Sequence, residues 1–330
     1  AFPGPACYSQ GGENPTVTDA SFVLGYLNKD TFAGSLNIDI EKSKKAILNK
    51  ICKPLGLSLT QAALGIHEIV NSNMAQTLRL VSIKQGHDPR EFTLMPFGGA
   101  GPIHSGKLAE ISSIKQILIP PTPGVLSALG LMLAPIQHEA MASYEIKTAN
   151  SSWKKLKATF DSLDKLCDKK MKDDQVMKKD INKSYFVEMR YLGQSHEIEI
   201  PIPISINKNS ISLAEKLFHR THQSTYSYSD TSADVEFVTL RAVHQKDSTE
   251  ASILEKVKNY KKIKPKKKYR KVCFSSKDGF IKIPIYSRNE LYPGIKFKGP
   301  AIIEQSDTTT LLHKGHSLEV DNYNNLIINV

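Results

Sequence analysis

Residues 94–111, LMPFGGAGPIHSGKLAEI, open as a strand, place glycine at three of the four positions 98–101, and continue as a helix. With their flanks they make a strand near 92–97, a helix near 102–112 and a strand at 115–120, KQILIP. Elements of these lengths in this order predict a βαβ unit with parallel strands and a right-handed crossover, which directs the chain towards an α/β fold. Gly101 then falls at the helix N-cap and Pro102 at the first helical position, where its missing N–H costs nothing. Glycines at such a junction serve either a turn whose backbone angles other residues resist or a large ligand approaching the main chain. The spacing is neither GxGxxG nor a P-loop, so pattern alone leaves both readings open. His104, in the first helical turn, lies within reach of the same ligand.

The stretch SLTQAALGIHEIVNSNMAQTLRLVSIKQG (58–86) reads as a long helix. Ser58 and Gln61 fit a capping box. Ala62, Ile66, Ile69, Val70, Met74, Leu78 and Val81 recur at helical spacing and predict a buried stripe, and Gly86 ends the run. A helix at 39–53 is capped by Asp39. Residues 123–136 form a small-residue helix, packed tightly if Gly124, Ala128, Gly130 and Ala134 face a neighbour. Beyond residue 140 the texture changes. Residues 151–183 read as an exposed helical region, YFVEMRYL and HEIEIPIPI alternate as antiparallel strands do, a helix follows near 211–222, and a strand near 235–244. The segment 272–330 contains short strands separated by turns and reads as a separate β-rich module. The expected domains are therefore 1–140, 141–255, a basic connector at 256–271, and 272–330.

At 330 residues, 40% hydrophobic and 23% charged, the chain has the composition of an ordinary globular protein of two or three domains. Its longest apolar passage, GVLSALGLMLAPI (124–136), is too short and interrupted to span a bilayer. The first residues show no basic head followed by an apolar run, and Cys7, Cys52, Cys167 and Cys273 form no CxxC pair, as expected of reduced thiols in a cytoplasmic protein. The net charge of +11 is concentrated in KVKNYKKIKPKKKYRK (256–271), whose ten Lys and Arg without an acid leave +1 for the rest. A like-charged run containing proline and only two aromatics reads as a solvated connector and argues against a nucleic-acid site.

PGPACYSQGGENPTVTDA (3–20) combines a glycine loop, a thiol, hydroxyls at Thr16 and Thr18, and the carboxylate of Asp19. Asp19 is suited to bind a cation or act as a base, or Thr18 or Asp19 simply caps the helix that follows. Cys7 lacks a neighbouring base for a nucleophilic role. His219 and His222, three apart on a helix, are spaced to share one metal, but no third ligand accompanies them, and His313 and His316 sit in a turn.

Read together, GPACY…GG…TVTDA…VLGYL, then IVNSNMAQTLRLVSIKQGHDPREFTLMPFGGAGPIH, then PPTPGVLSALGLMLA, resemble successive signatures of the hydantoinase A/5-oxoprolinase family, which includes subunits of acetone- and acetophenone-type carboxylases. YRKVCFSSKDGFIKIPIY…GPAIIEQSDTTTLLHKG is similar to the family's C-terminal β region. The resemblance implies the second half of an actin-like, sugar-kinase-like ATPase fold, with Gly98, Gly99, Ala100, Gly101, Pro102 and His104 lining ATP and Thr18 and Asp19 in catalytic roles. It implies ATP with Mg²⁺, phosphorylation of a lactam or cyclic-amide carbonyl followed by ring opening, or in the carboxylase branch activation of an enolate or bicarbonate. The different-class alternative is a non-catalytic anion-binding module. Ser9 and Gln10 stand where the family commonly has an arginine before Gly11 and Gly12, and YSYSD (226–230) replaces the family's YG and aromatic. The family's DxGGT phosphate loops do not occur in these 330 residues. The expected partners are therefore an N-terminal half carrying those loops and a hydantoinase B-type subunit.

Overall fold

In a computed structural model, residues 2–32, 37–84, 86–247, 260 and 262–330 are described. They fall into two compact units, Ala1–Leu131 with Ile253–Val330, and Met132–Ser252.

The first unit begins with helices set by their caps. α1 (Val17–Val23) starts at Thr16, whose hydroxyl accepts from the Asp19 N–H at 3.3 Å while the Asp19 carboxylate accepts from the Thr16 N–H at 2.9 Å. α2 (Ile40–Ile47) is capped by Asp39, which accepts from the N–H groups of Glu41 and Lys42. The chain stays helical through Leu48–Cys52 and the short α3 (Lys53–Leu55), then leaves through Gly56 at φ +66°. α4 (Leu59–Lys84) follows the expected capping box, with Gln61 N–H donating to Ser58 Oγ and Ser58 N–H to Gln61 Oε1. Its buried stripe differs from the aliphatic one expected: Ala63, His67, Asn71 and Ala75 face inward, whereas Ile69 is 63% and Val81 55% exposed. Small side chains at that four-residue spacing suit the face on which α1 packs closely.

β1 (Thr93–Leu94), α5 (Gly101–Ser112) and β2 (Gln116–Ile119) form the parallel βαβ unit, with Leu94 opposite Ile117. β1 stops short of residue 97 because Pro96 has no N–H to extend the ladder. Ala100 is the N-cap, so Gly101 is the first helical residue rather than the cap. α6 (Leu126–Leu133) buries none of its residues, and Ala128, Gly130 and Ala134 are exposed, so the expected tight packing at those positions gives way to an open face among the described residues.

The second unit is a four-stranded antiparallel sheet in the order β3-β6-β4-β5, from β3 (Ile136–Lys147), β4 (Asn182–Tyr191), β5 (Ile198–Ile202) and β6 (Val235–Lys246). α7 (Trp153–Asp173) and α8 (Ser210–Tyr226) share its core through Leu156, Phe160, Leu163, Ala214 and Phe218, which pack with Val187, Met189, Ile200, Phe237 and Leu240. α7 is thus half core rather than the exposed region expected. His219 and His222 are absorbed by hydrogen bonds, His219 Nδ1 with the Tyr191 hydroxyl at 2.8 Å and His222 Nδ1 with the Tyr228 carbonyl at 2.8 Å.

The chain then returns to the first unit. β7 (Lys268–Cys273), β8 (Phe280–Ser287), β10 (Ala301–Glu304) and β11 (Thr309–Leu312) make a sheet in the order β11-β10-β8-β7, with β9 (Lys296–Lys298), β12 (Ser317–Val320) and β13 (Leu326–Asn329) joining the other. β13 pairs antiparallel with β2, Ile328 opposite Ile117, in the sheet ordered β1-β2-β13-β12-β9. Val272, Ile283, Ile302 and Leu311 share a core with Phe22, Leu24, Ile47 and Ala63. The expected separate module at 272–330 is therefore corrected: its strands complete the sheets and cores of residues 1–131, because a short βαβ unit leaves apolar faces it cannot cover alone. Of the basic stretch, Lys268–Lys271 belong to β7, while residues 256–259 and 261 lie outside the described residues. No helix among the described residues is long and apolar enough to cross a membrane.

Candidate functional site

A cleft of about 550 Å³ opens in the first unit where the loop of residues 98–101 meets α1 and the β10–β11 turn. Thr18, Gly99, Ala100 and His104 line it, so four of the residues singled out in the sequence converge. Tyr8 and Phe32 add aromatic surface, and no Lys or Arg is among the lining residues.

The three glycines separate into different roles. Gly98 has φ +82° with open space at its Cβ position, so it is selected by backbone conformation. Gly99 has ordinary angles and is selected by closeness: a Cβ there would stand 3.2 Å from the Asp307 carbonyl. At Gly101 a Cβ would make only ordinary contact with Pro96, so neither reason applies. Pro102 is buried and, like Gly98 and Gly101, lies outside the cleft lining.

The loop is held by a turn from the far end of the chain. Thr308 Oγ1 donates to the Gly99 carbonyl at 2.8 Å, Gln305 Nε2 to the Pro121 carbonyl at 2.6 Å, and Asp307 Oδ2 accepts from the Gly124 N–H at 2.9 Å. A Cβ on Gly124 would come within 2.5 Å of that carboxylate oxygen, so only glycine fits. Gln305, Asp307 and Thr308 were not singled out as site residues in the sequence, although EQSDTTT is a polar run between two strands.

Asp19 takes the capping role, one of the two alternatives its sequence left open. It is fully buried, and its two oxygens accept from five donors: the N–H groups of Ala6, Cys7 and Thr16 and the hydroxyls of Thr16 and Ser43, at 2.6–3.2 Å. Burial pushes its carboxyl up, but the hydrogen bonds from Ser43, Thr16 and Cys7 together outweigh this and hold it below the ordinary carboxylate value. No lone pair is left for a metal or a substrate proton. Asp19 instead ties the 5–8 loop to α1 and α2, fixing Tyr8 and Thr18 on the cleft wall. Cys7, beside it, is pushed up to about 12 by burial and by the Asp19 charge, which makes its thiol inert.

Beneath the cleft, buried imidazoles cluster. His67 and His104 stack at 5.2 Å, His67 Nε2 meets Ser21 Oγ at 3.0 Å, and His104 Nδ1 meets Asn71 Oδ1 at 2.8 Å. His313 and His316, 5.6 Å apart, lie against α5 where Gly106 makes room, and His316 Nε2 faces Glu110 at 3.1 Å. No group of three or more His, Cys, Asp or Glu among the described residues is arranged to hold a metal ion. Burial lowers His67 to about 3, with His104 and His313 adding repulsion, lowers His313 to about 4, and lowers His104 as well. Folded-state values below the ordinary 6.5 mean that the unfolded chain binds more protons, so stability is full above that value and is lost as pH falls below it. Urea midpoints measured from about pH 7 to about pH 5 should decline, each neutral imidazole contributing up to about 1.4 kcal/mol per pH unit. A flat profile over that range would show that these rings are not held neutral.

The model of the hydantoinase/oxoprolinase family matches residues 1–140, and that of its C-terminal domain matches residues 142–329. The chain belongs to the hydantoinase/oxoprolinase family. The alpha subunit of caprolactamase from Pseudomonas jessenii is 32% identical over 97% of this chain and 47% of its own length. The crystal structure of the ATP-dependent caprolactamase from that organism superposes with TM-score 0.83 at 30% identity, over 100% of this chain and 48% of that one. The acetone carboxylase beta subunit of Xanthobacter autotrophicus is 27% identical over 96% of this chain and 46% of its own length. The chain therefore spans about half the length of each of these relatives.

Proposed function

We propose that the cleft is the nucleoside side of an ATP site, in an actin-like, sugar-kinase-like ATPase that opens cyclic amides. The observation that carries this is the lining itself. A glycine-bearing loop at the start of a helix, two aromatic rings, several uncharged polar groups and the carboxylate of Asp307 fit a base and ribose, and a lining without Lys or Arg fits no triphosphate. Thr18 and the loop from Gly98 to Pro102 would shape this half of the site. Phosphate and Mg²⁺ ligands would come from a segment bearing DxGGT loops, and a hydantoinase B-type subunit would complete the enzyme. Phosphoryl transfer to the amide oxygen would break the bond between the γ-phosphorus and ADP; water would then add to the activated carbon, the ring C–N bond would break as the ring nitrogen takes up a proton, and a second water would release phosphate from the acyl phosphate that remains. The caprolactamase relatives support this chemistry, while the acetone carboxylase beta subunit, matched over 96% of this chain, supports a carboxylase as the second reading. Free cysteines at 7, 52, 167 and 273 fit a reducing cytoplasm.

Ala100 is exposed and lines the cleft. Ala100→Leu should weaken ATP binding by the assembled protein at least ~10-fold, about 1.4 kcal/mol, with an unchanged urea midpoint. Unchanged affinity in the folded variant would return the loop to a purely structural turn.

A further inference from the structure

Ring chemistry beneath the cleft is more constrained than the lining alone requires. His104 reaches the cleft from α5, and its Nδ1 stands 2.8 Å from the Asn71 amide oxygen on α4. Both residues are buried, Asn71 at 5% and His104 at 6% exposure. An amide oxygen can only accept, so Nδ1 must carry the proton. A neutral imidazole has one N–H, which leaves Nε2 as a lone pair. That nitrogen makes no hydrogen bond among the described residues, and His104 is on the cleft wall. The neighbouring ring is locked in the opposite sense. Ser21 Oγ donates to the Val17 carbonyl at 2.9 Å, so its contact with His67 is filled by the Nε2–H of that ring. Two stacked imidazoles with no carboxylate between them favour the uncharged state, and burial lowers both.

We infer that Asn71 is a positioning residue that locks His104 as its Nδ1–H tautomer, so that Nε2 accepts a hydrogen bond from a hydroxyl or amino group of the cleft ligand. The inference rests on the nucleoside reading for the ligand but not for the tautomer. It sets a chemical rule for this end of the cleft: the group meeting His104 is a donor, as a ribose hydroxyl or an exocyclic amine is. A phosphate, with only acceptors to offer when fully ionised, would find a lone pair facing it.

Long-range proton–nitrogen spectra of the 330-residue chain labelled with ¹⁵N-histidine read the tautomer directly, before any ligand is added. The expected spectrum shows a protonated Nδ1 and an unprotonated Nε2 for His104, assigned by its loss in His104→Gln. Adenosine should shift the Nε2 resonance, whereas inorganic tripolyphosphate at equal concentration should not. Asn71→Ala should mix the two tautomers and weaken adenosine binding roughly 5-fold, about one hydrogen bond. Asn71→Asp restores an acceptor and should restore the single tautomer while raising the pH at which the ring protonates. An Nε2–H tautomer in the unmutated chain overturns the inference whatever Asn71→Ala does to folding. A correct tautomer with no response to adenosine overturns the nucleoside assignment and leaves the lock standing. A response to tripolyphosphate alone overturns the donor rule.

Discussion

Asp19→Ala should lower folding stability by about 3–5 kcal/mol, a large share of what a protein of this kind has in reserve. The carboxylate is fully buried and serves five donors, three of them main-chain N–H groups from Ala6, Cys7 and Thr16. Alanine removes the charge and leaves those donors in a place water does not reach, where each unsatisfied group costs about 1–3 kcal/mol. Asp19→Asn is the sharper variant. It preserves volume, but its amide nitrogen must face donors, so it should recover little of the loss. Below the ordinary carboxylate value the native protein should also weaken, since a lowered carboxyl contributes stability that is present at neutral pH and lost as it protonates. Urea unfolding of the three proteins measures this. If both variants unfold like the parent while ATP turnover by the assembled enzyme vanishes, Asp19 is catalytic after all and its hydrogen bonds have been given the wrong meaning.

That contrast shows what a linear pattern can carry. TVTDA advertises a carboxylate beside hydroxyls, and the same letters serve a metal site or a cap. Only the arrival of Ala6, Cys7 and Ser43 from 13, 12 and 24 residues away decides for the cap. Local chemistry was readable where it is local: the Ser58–Gln61 box, the Asp39 cap and the parallel βαβ unit follow from nearest neighbours and periodicity. Contacts across the chain were not. Thr308 is 209 residues from Gly99 and Asp307 is 183 from Gly124, and no periodicity in EQSDTTT says which glycine loop it meets.

α4 misled for a different reason. Its aliphatic residues recur at helical spacing, so apolar spacing selected Ile69 and Val81 for the core. The packed face is the one with Ala63, His67, Asn71 and Ala75, because close helix approach rewards small side chains and the buried polar pair finds partners in Ser21 and His104. A polar residue every fourth position among alanines is the signal that was available.

The 330-residue chain by itself should show no substrate-dependent ATP hydrolysis above background. Phosphoryl transfer depends on donors and a metal that position and neutralise the moving phosphoryl group, and little else in the protein substitutes for them. The cleft has no Lys or Arg among its lining residues, Asp19 is consumed by structure, and no DxGGT loop occurs in these residues. Asp307, the acid on the cleft wall, gives one oxygen to the Gly124 N–H, and a single carboxylate does not by itself position and neutralise a transferring phosphoryl group. On the proposed reading the chain would seat the nucleoside part of ATP without the groups that break the terminal phosphoanhydride bond. The caprolactamase relatives are about twice as long as these 330 residues. Mixing the chain with a segment bearing DxGGT loops and a B-type subunit should restore turnover by several orders of magnitude over the chain alone, coupled to ring opening of a lactam or to carboxylation of a ketone, and assaying both substrate classes separates the two readings. Substrate-dependent hydrolysis by the isolated chain would mean that its own residues reach the phosphates, and the assignment of this cleft to the nucleoside side would fall.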